Sequence, residues 1–128
     1  NIPAPTDQPY QLSWINMLPV GKFNFGTISI LASGRPYIDF STSSINQPII
    51  RNYKRLPDYF RTDFSVNYNF SLLKAKFKTG INLINIFNTQ NYFDVNMRKF
   101  DFENTIFSET TLIQAQSFSI NIFLHFNF

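Results

Sequence analysis

The chain has no cysteine and a single histidine. Neither a disulfide framework nor a thiolate metal site can form, and one imidazole falls short of a usual transition-metal site. Charged residues make up 15% of the sequence, against about 25% in an ordinary soluble domain. No apolar run approaches the roughly 18 residues of a helical membrane span. That excludes a helical membrane protein only, because barrels cross with alternating strands and give no hydropathy peak. No signal peptide opens the chain: "NIPAPTDQPY" carries Pro3, Pro5 and Pro9 and no initiator Met, and reads as the interior of a longer protein. The net charge is +3, with Lys and Arg dispersed, so nucleic acid is not demanded. There is no internal repeat and no low-complexity tract.

What the chain does have is aromatics, with 16 Phe and 6 Tyr in 128 residues. Many fall at a period of two, the signature of a strand with one apolar face. In "FRTDFSVNYNF", Phe60, Phe64, Val66, Tyr68 and Phe70 share a face; Arg61, Asp63, Ser65, Asn67 and Asn69 share the other. The closing "SFSINIFLHFNF" places Phe118, Ile120, Ile122, Leu124, Phe126 and Phe128 on one face, with Ser119, Asn121, His125 and Asn127 among the gaps. A further strand over 76–88 puts Phe77, Thr79, Ile81, Leu83 and Phe87 together, interrupted by Asn85. Two more are expected at 11–18 and 23–32. In the latter the apolar set changes face near Gly26, from Phe23 and Phe25 to Ile28 and Ile30, and a bulge at the glycine accounts for the change.

The connections alternate in length. "PVGK" (19–22) and "SLLKA" (71–75) are short. Residues 33–59 form a long loop with Gly34, Pro36, Pro48 and Pro57, and 89–114 form a second, in which 92–98 and 105–113 read as a hairpin or as extensions of the flanking strands. Strands of about 9–11 residues suit a bilayer crossed at a tilt. Short turns at one rim and long loops at the other are the habit of outer-membrane barrels. The polar faces hold Asn and Ser rather than Lys and Glu, which suits an enclosed wet lumen. Aromatics collect toward strand ends, as interfacial girdles do.

"SGRPY" (33–37), "RLPDYFRTDFSVNYNF" (55–70), "NIFNTQN" (85–91) and the terminal aromatic strand occur in that order. Together with "DQPYQLS" (7–13) they resemble the C-terminal end of TonB-dependent outer-membrane receptors of the Bacteroidota type. The likeness covers nearly the whole chain. Two departures stand out: no proline precedes the last strand in "LIQAQ" (112–116), and Ile86 replaces the commoner Leu. The resemblance implies an all-β fold, with residues 1–128 as the C-terminal five or six antiparallel strands of a 22-stranded transmembrane barrel. It implies a place in the outer membrane of a Gram-negative bacterium and active uptake of a scarce nutrient: an iron chelate, a vitamin or a glycan. The implied partners are the rest of the barrel and its plug domain, the TonB-ExbB-ExbD system, outer-membrane lipid, and in some members a surface SusD-like lipoprotein. The last strand resembles the signal read by the barrel-assembly machinery, which acts by strand addition.

No nucleophile-bearing turn appears, and the chain reads as a non-enzyme without cofactor. The ligand-contact candidates are Arg35, Tyr37, Arg51 and Tyr53 in the first loop, and Tyr92 and Arg98 in the second. Arg51, Lys54 and Arg55 with Tyr53 form a basic, aromatic patch. Asp58, Arg61 and Asp63 are spaced for an ion pair, His125 for a structural place on the lumen face. Lys74, Lys76 and Lys78 alternate across a short turn. Two other classes remain open: a soluble OB-like barrel that binds single-stranded nucleic acid by stacking, and a soluble β-sandwich interaction domain.

Overall fold

A computed structural model describes residues 4, 6–40, 43–44, 51–72, 75–102 and 105–127. Among them it contains ten strands and no helix. Five long strands make the main sheet: β1 (Gln11–Val20), β2 (Phe23–Ala32), β6 (Tyr59–Leu72), β7 (Ala75–Ile84) and β10 (Ser119–Asn127), hydrogen-bonded in the order β1-β2-β6-β7-β10 and antiparallel throughout. The chain thus walks across the sheet one neighbour at a time. Two tight hairpins, β1–β2 and β6–β7, turn at one rim. The two longer excursions leave and return at the other.

The excursions hold the remaining strands. β3 (Pro36–Phe40) pairs with β5 (Arg51–Arg55), so the loop expected over 33–59 carries a hairpin. Its turn residues lie outside the described residues. The sequence hid this hairpin because Pro36 opens it and five-residue strands are too short to display a period. β8 (Tyr92–Phe102) pairs with β9 (Thr105–Gln114), as the hairpin reading expected, and β4 (Ser43–Ser44) joins β9. The strand expected over 76–88 ends instead at Ile84, where Asn85 and Asn88 take positive φ angles of 53° and 49°. Asn tolerates that region better than most residues, and it breaks an extended chain.

Directly opposed residues of an antiparallel pair share a face, so the registers fix both faces. One carries Leu12, Trp14, Leu18 and Val20 of β1; Phe23, Phe25 and Leu31 of β2; Phe60, Phe64, Val66, Tyr68 and Phe70 of β6; Phe77, Ile81 and Leu83 of β7; and Ile120, Ile122, Leu124 and Phe126 of β10. The other carries Arg61, Asp63, Ser65, Asn67 and Asn69 with Asn24, Lys76, Lys78, Asn82, Asn121 and His125. The ladder runs through Gly26 without a shift on either side, Met17↔Gly26 and Gly26↔Ser65. The expected bulge is therefore absent, and Ile28 and Ile30 point to the polar face in regular strand geometry. Glycine is needed there for space: a Cβ on Gly26 would stand 2.5 Å from Ser65 Oγ.

Among the described residues nothing covers the apolar face. Among the described residues the buried hydrophobic set is Ala32, Leu56 and Ala75. Phe64 and Val66 are half-buried by their sheet neighbours alone, while Ile122 is 74% exposed and Trp14 66%. Every strand pair in substantial contact is a hydrogen-bonded neighbour, so no second layer packs on the sheet. β1 and β10 do not pair with one another, and the sheet is open at both edges. This is neither a closed five-stranded barrel nor two sheets face to face.

Candidate functional site

The apolar face has internal structure. Rings run along the short-turn rim from β2 to β10. Phe23 meets Tyr68 at 4.7 Å between centroids, Tyr68 stacks on Phe70 at 5.5 Å, Phe70 on Phe77 at 5.1 Å, and Phe77 lies 6.4 Å from Phe126. At the far rim Phe60 stacks on Phe87 at 5.9 Å, which gives Phe87 its place on this face beyond the end of β7. From Phe60 to Phe70 the strand advances about 33 Å. The band between holds Phe64, Val66, Ile81, Leu83, Ile120, Ile122 and Leu124. Hydroxyls inside the band are bonded within the sheet: Ser29 Oγ lies 3.1 Å from Thr62 Oγ1, and Thr79 Oγ1 donates to the Phe123 carbonyl at 2.9 Å. In a hydrocarbon such bonds matter, because an unpaired hydroxyl there costs several kcal/mol.

The long-connection end is built by asparagines. Asn85 and Asn91 are the largest fully buried side chains among the described residues. Asn85 Nδ2 donates to the carbonyls of Thr89 and Gln116, and its Oδ1 accepts the Thr89 N–H. Its own N–H donates to Asp63 Oδ1 at 2.9 Å. The β6–β7 ladder covers only Phe64–Leu72, which leaves one side of Phe60 open. The Asn91 amide closes it, accepting the Phe60 N–H at 2.8 Å and donating to the Phe60 carbonyl at 2.7 Å, as a neighbouring strand would. Asn88 Oδ1 accepts the Phe118 N–H, which steers the chain into β10. The "NIFNTQN" motif is thus a connector that ends β7, seals β6 and starts β10. A buried amide role for Asn85 and Asn91 was not read from the sequence; three Asn at 85, 88 and 91, directly after an apolar strand, are the signal that carried it.

The charged candidates divide. Arg61 makes a two-pronged pair with Asp63, at 2.8 Å from Nε and 2.6 Å from Nη2, on the polar face. Asp58 is not part of it and accepts the Tyr10 hydroxyl at 2.6 Å instead. The basic patch of the first excursion is largely occupied by its own structure. Lys54 pairs with Asp39, and that ammonium together with the Thr110 hydroxyl holds the Asp39 carboxyl below its usual range. Arg55 clasps the Asp7 carboxylate, the Asp7 carbonyl and the Gly34 carbonyl. The Arg51 side chain lies outside the described residues.

Arg35 and Tyr92, expected in two separate loops, come together. Both line a hollow of about 300 Å³ where the excursions meet, with Ser33, Tyr59, Phe93 and Gln8. Gly34 permits this junction, since a Cβ there would sit 1.7 Å from the Leu56 carbonyl oxygen. Ser33 is buried, and its hydroxyl has no hydrogen-bond partner. The hollow offers aromatic walls, amides, an unengaged hydroxyl and the exposed Arg35 guanidinium, a set suited to a polar organic ligand of moderate size. Tyr37 and Tyr53 are not among its walls; they sit on the β3–β5 hairpin, opposite Lys54 and Ile38. Arg98 is opposite Glu109 on the β8–β9 hairpin, away from the hollow. Among the described residues no group of three His, Cys, Asp or Glu is placed to hold a metal ion.

Of the six aligned residues of the terminal strand, Ile120, Ile122, Leu124 and Phe126 belong to β10 and lie on the apolar face, and all four are exposed. Phe118 precedes β10, and Phe128 lies outside the described residues. Comparison with family models, with curated proteins and with solved structures finds no match.

Proposed function

We propose that this chain is a wall segment of a large transmembrane β-barrel, the C-terminal part of a TonB-dependent transporter of the outer membrane. One observation carries the reading: an uncovered apolar face crosses all five strands, fringed by aromatic rings and backed by a polar face. Fully burying one Leu, Ile or Phe is worth about 1.5–3 kcal/mol, so leaving a whole face of them in water would oppose folding. Lipid supplies the missing contact without a second protein layer. Such a wall also needs partners at its edges, because each unpaired backbone group in hydrocarbon costs several kcal/mol. β1 and β10 therefore pair with further strands of the same barrel. The order of the sequence motifs is what selects the transporter among large barrels, with the plug, the TonB-ExbB-ExbD system and the assembly machinery as partners. The hollow at Arg35 and Tyr92 is the ligand-facing feature of this segment.

Cell fractionation tests the reading. The polypeptide should sediment with outer membranes, resist a carbonate wash and come free in detergent. Deletion of 118–127 should remove it from that fraction. Recovery of the intact polypeptide as a soluble, folded monomer would overturn the assignment. Uptake of its nutrient should stop when TonB is deleted, with binding at the cell surface retained.

A further inference from the structure

The short-turn rim carries a charge arrangement for which a barrel wall has no use. Lys22 lies in the β1–β2 turn, and its carbonyl accepts the Asn69 N–H at 2.9 Å. From there the ladder sets Asn69 opposite Lys78 and Lys78 opposite His125, with Lys76 opposite Ser71. Adjacent strands lie about 4.8 Å apart and alternate residues about 6.7 Å, so the three lysines lie about 7 to 12 Å from one another. With His125, Asn69, Ser71, Phe70 and Phe77 they line one hollow of about 500 Å³ at this rim. All three lysines are exposed.

Among the described residues no side-chain carboxylate is paired with them. The acids of the chain are Asp7, Asp39, Asp58, Asp63, Asp94, Asp101, Glu103 and Glu109. Each belongs to an excursion, to the segment before β1, or to the half of β6 next to the excursions. The ion pairs among the described residues use Lys54, Arg55 and Arg61, and none of these lysines. Like charges set side by side on a sheet are destabilising, and a concave surface of one sign attracts the opposite sign from outside.

We propose that this hollow docks an acidic polypeptide segment, which reaches the polar face from the short-turn rim. The cations are spread over more than one phosphate can span. Their spacing matches alternate carboxylates on an extended chain, which repeat at about 6.7 Å. The lysines also lie on the face opposite the aromatic row, so a lipid headgroup at this rim would be on the wrong side of the sheet. That last step rests on the barrel-wall reading, which fractionation tests separately.

The experiment uses the intact polypeptide in nanodiscs of zwitterionic lipid and a fluorescein-labelled octaglutamate, read by anisotropy. Saturable one-to-one binding is expected. It should weaken about tenfold or more in Lys22→Gln/Lys76→Gln/Lys78→Gln, and likewise when salt rises from about 50 to about 300 mM. The matched triple Lys54→Gln/Arg98→Gln/Lys99→Gln should stay within about twofold of the parent. Far-UV circular dichroism checks that both triples keep their strands. Equal loss in the two triples would reduce the effect to net charge and overturn the proposal. So would absence of octaglutamate binding, or lysine-dependent association with phosphatidylglycerol vesicles in its place.

Discussion

β6, β7 and β10 sort their side chains almost completely, whereas β1 and β2 do not. In the first group the face that carries Phe64, Ile81 and Leu124 is apolar apart from threonines, and the other face holds mostly Asn, Ser, Asp, Arg, Lys and His, with Tyr59, Gly80, Ile84 and Phe123 as exceptions. In the second, Asn16, Thr27 and Ser29 stand mid-face on the apolar side, while Ile15, Met17, Ile28 and Ile30 stand on the polar side. Both groups nevertheless belong to one ladder with unbroken register. The local pattern therefore does not set the register of β2; the pairing on either side does, and Gly26 beside Ser65 makes it fit. The polar face thus carries an apolar island on β1 and β2.

Charge substitution should break the comparison most sharply. Ile122→Arg places a guanidinium in the middle of the lipid-side band and should cost about 2–4 kcal/mol, read as a lower urea midpoint for the barrel in vesicles. Met17→Arg adds the same group on the polar face of β1, where Met17 is 83% exposed, and should cost well under about 1 kcal/mol. Next is Asn91→Ala, which strands the N–H and carbonyl of Phe60 at about 1–3 kcal/mol. Hydrogen exchange at Phe60 should quicken, with exchange at Val66 unchanged. Gly26→Ala should cost about 1 kcal/mol, because the nearest atom is a rotatable hydroxyl, and Ser65→Ala should restore most of that loss. A bulged β2 would show no such coupling.

The smallest effect concerns pH. Asp39 has its pKa lowered by Lys54 and Thr110, so its contribution is present above the ordinary carboxylate range near 3.8. It is lost as pH falls through the depressed folded value. The link from β3 to β9 should loosen below about pH 4, seen as faster exchange at Ile38. Asp39→Asn should remove that pH dependence.

β6, β7 and β10 could be read from the sequence because each spends its length at a period of two, whereas β1 and β2 were read from a weaker pattern on either side of the turn at 19–22. The paired short and long connections followed from where the period stops. The β3–β5 hairpin could not be read, since its strands are brief and proline opens one of them. The candidate site was legible as separate residues only. Arg35 and Tyr92 are 57 positions apart, and only the meeting of the two excursions makes them neighbours. Lys54 and Arg55 looked available because their acceptors, Asp39, Asp7 and the Gly34 carbonyl, are distant in sequence. The lysine hollow shows the reverse: "LKAKFK" was visible as a run, but the contribution of Lys22 and His125 needed the ladder.

The absence of native cysteine allows the most direct test of the account. Single cysteines at Ile81, Ile122, Asn69 and Asn121 would be probed in isolated outer membranes with a charged maleimide that does not enter lipid. Asn69→Cys and Asn121→Cys should react, while Ile81→Cys and Ile122→Cys should react only after detergent or urea. Equal labelling of all four in intact membranes would contradict a lipid-facing sheet.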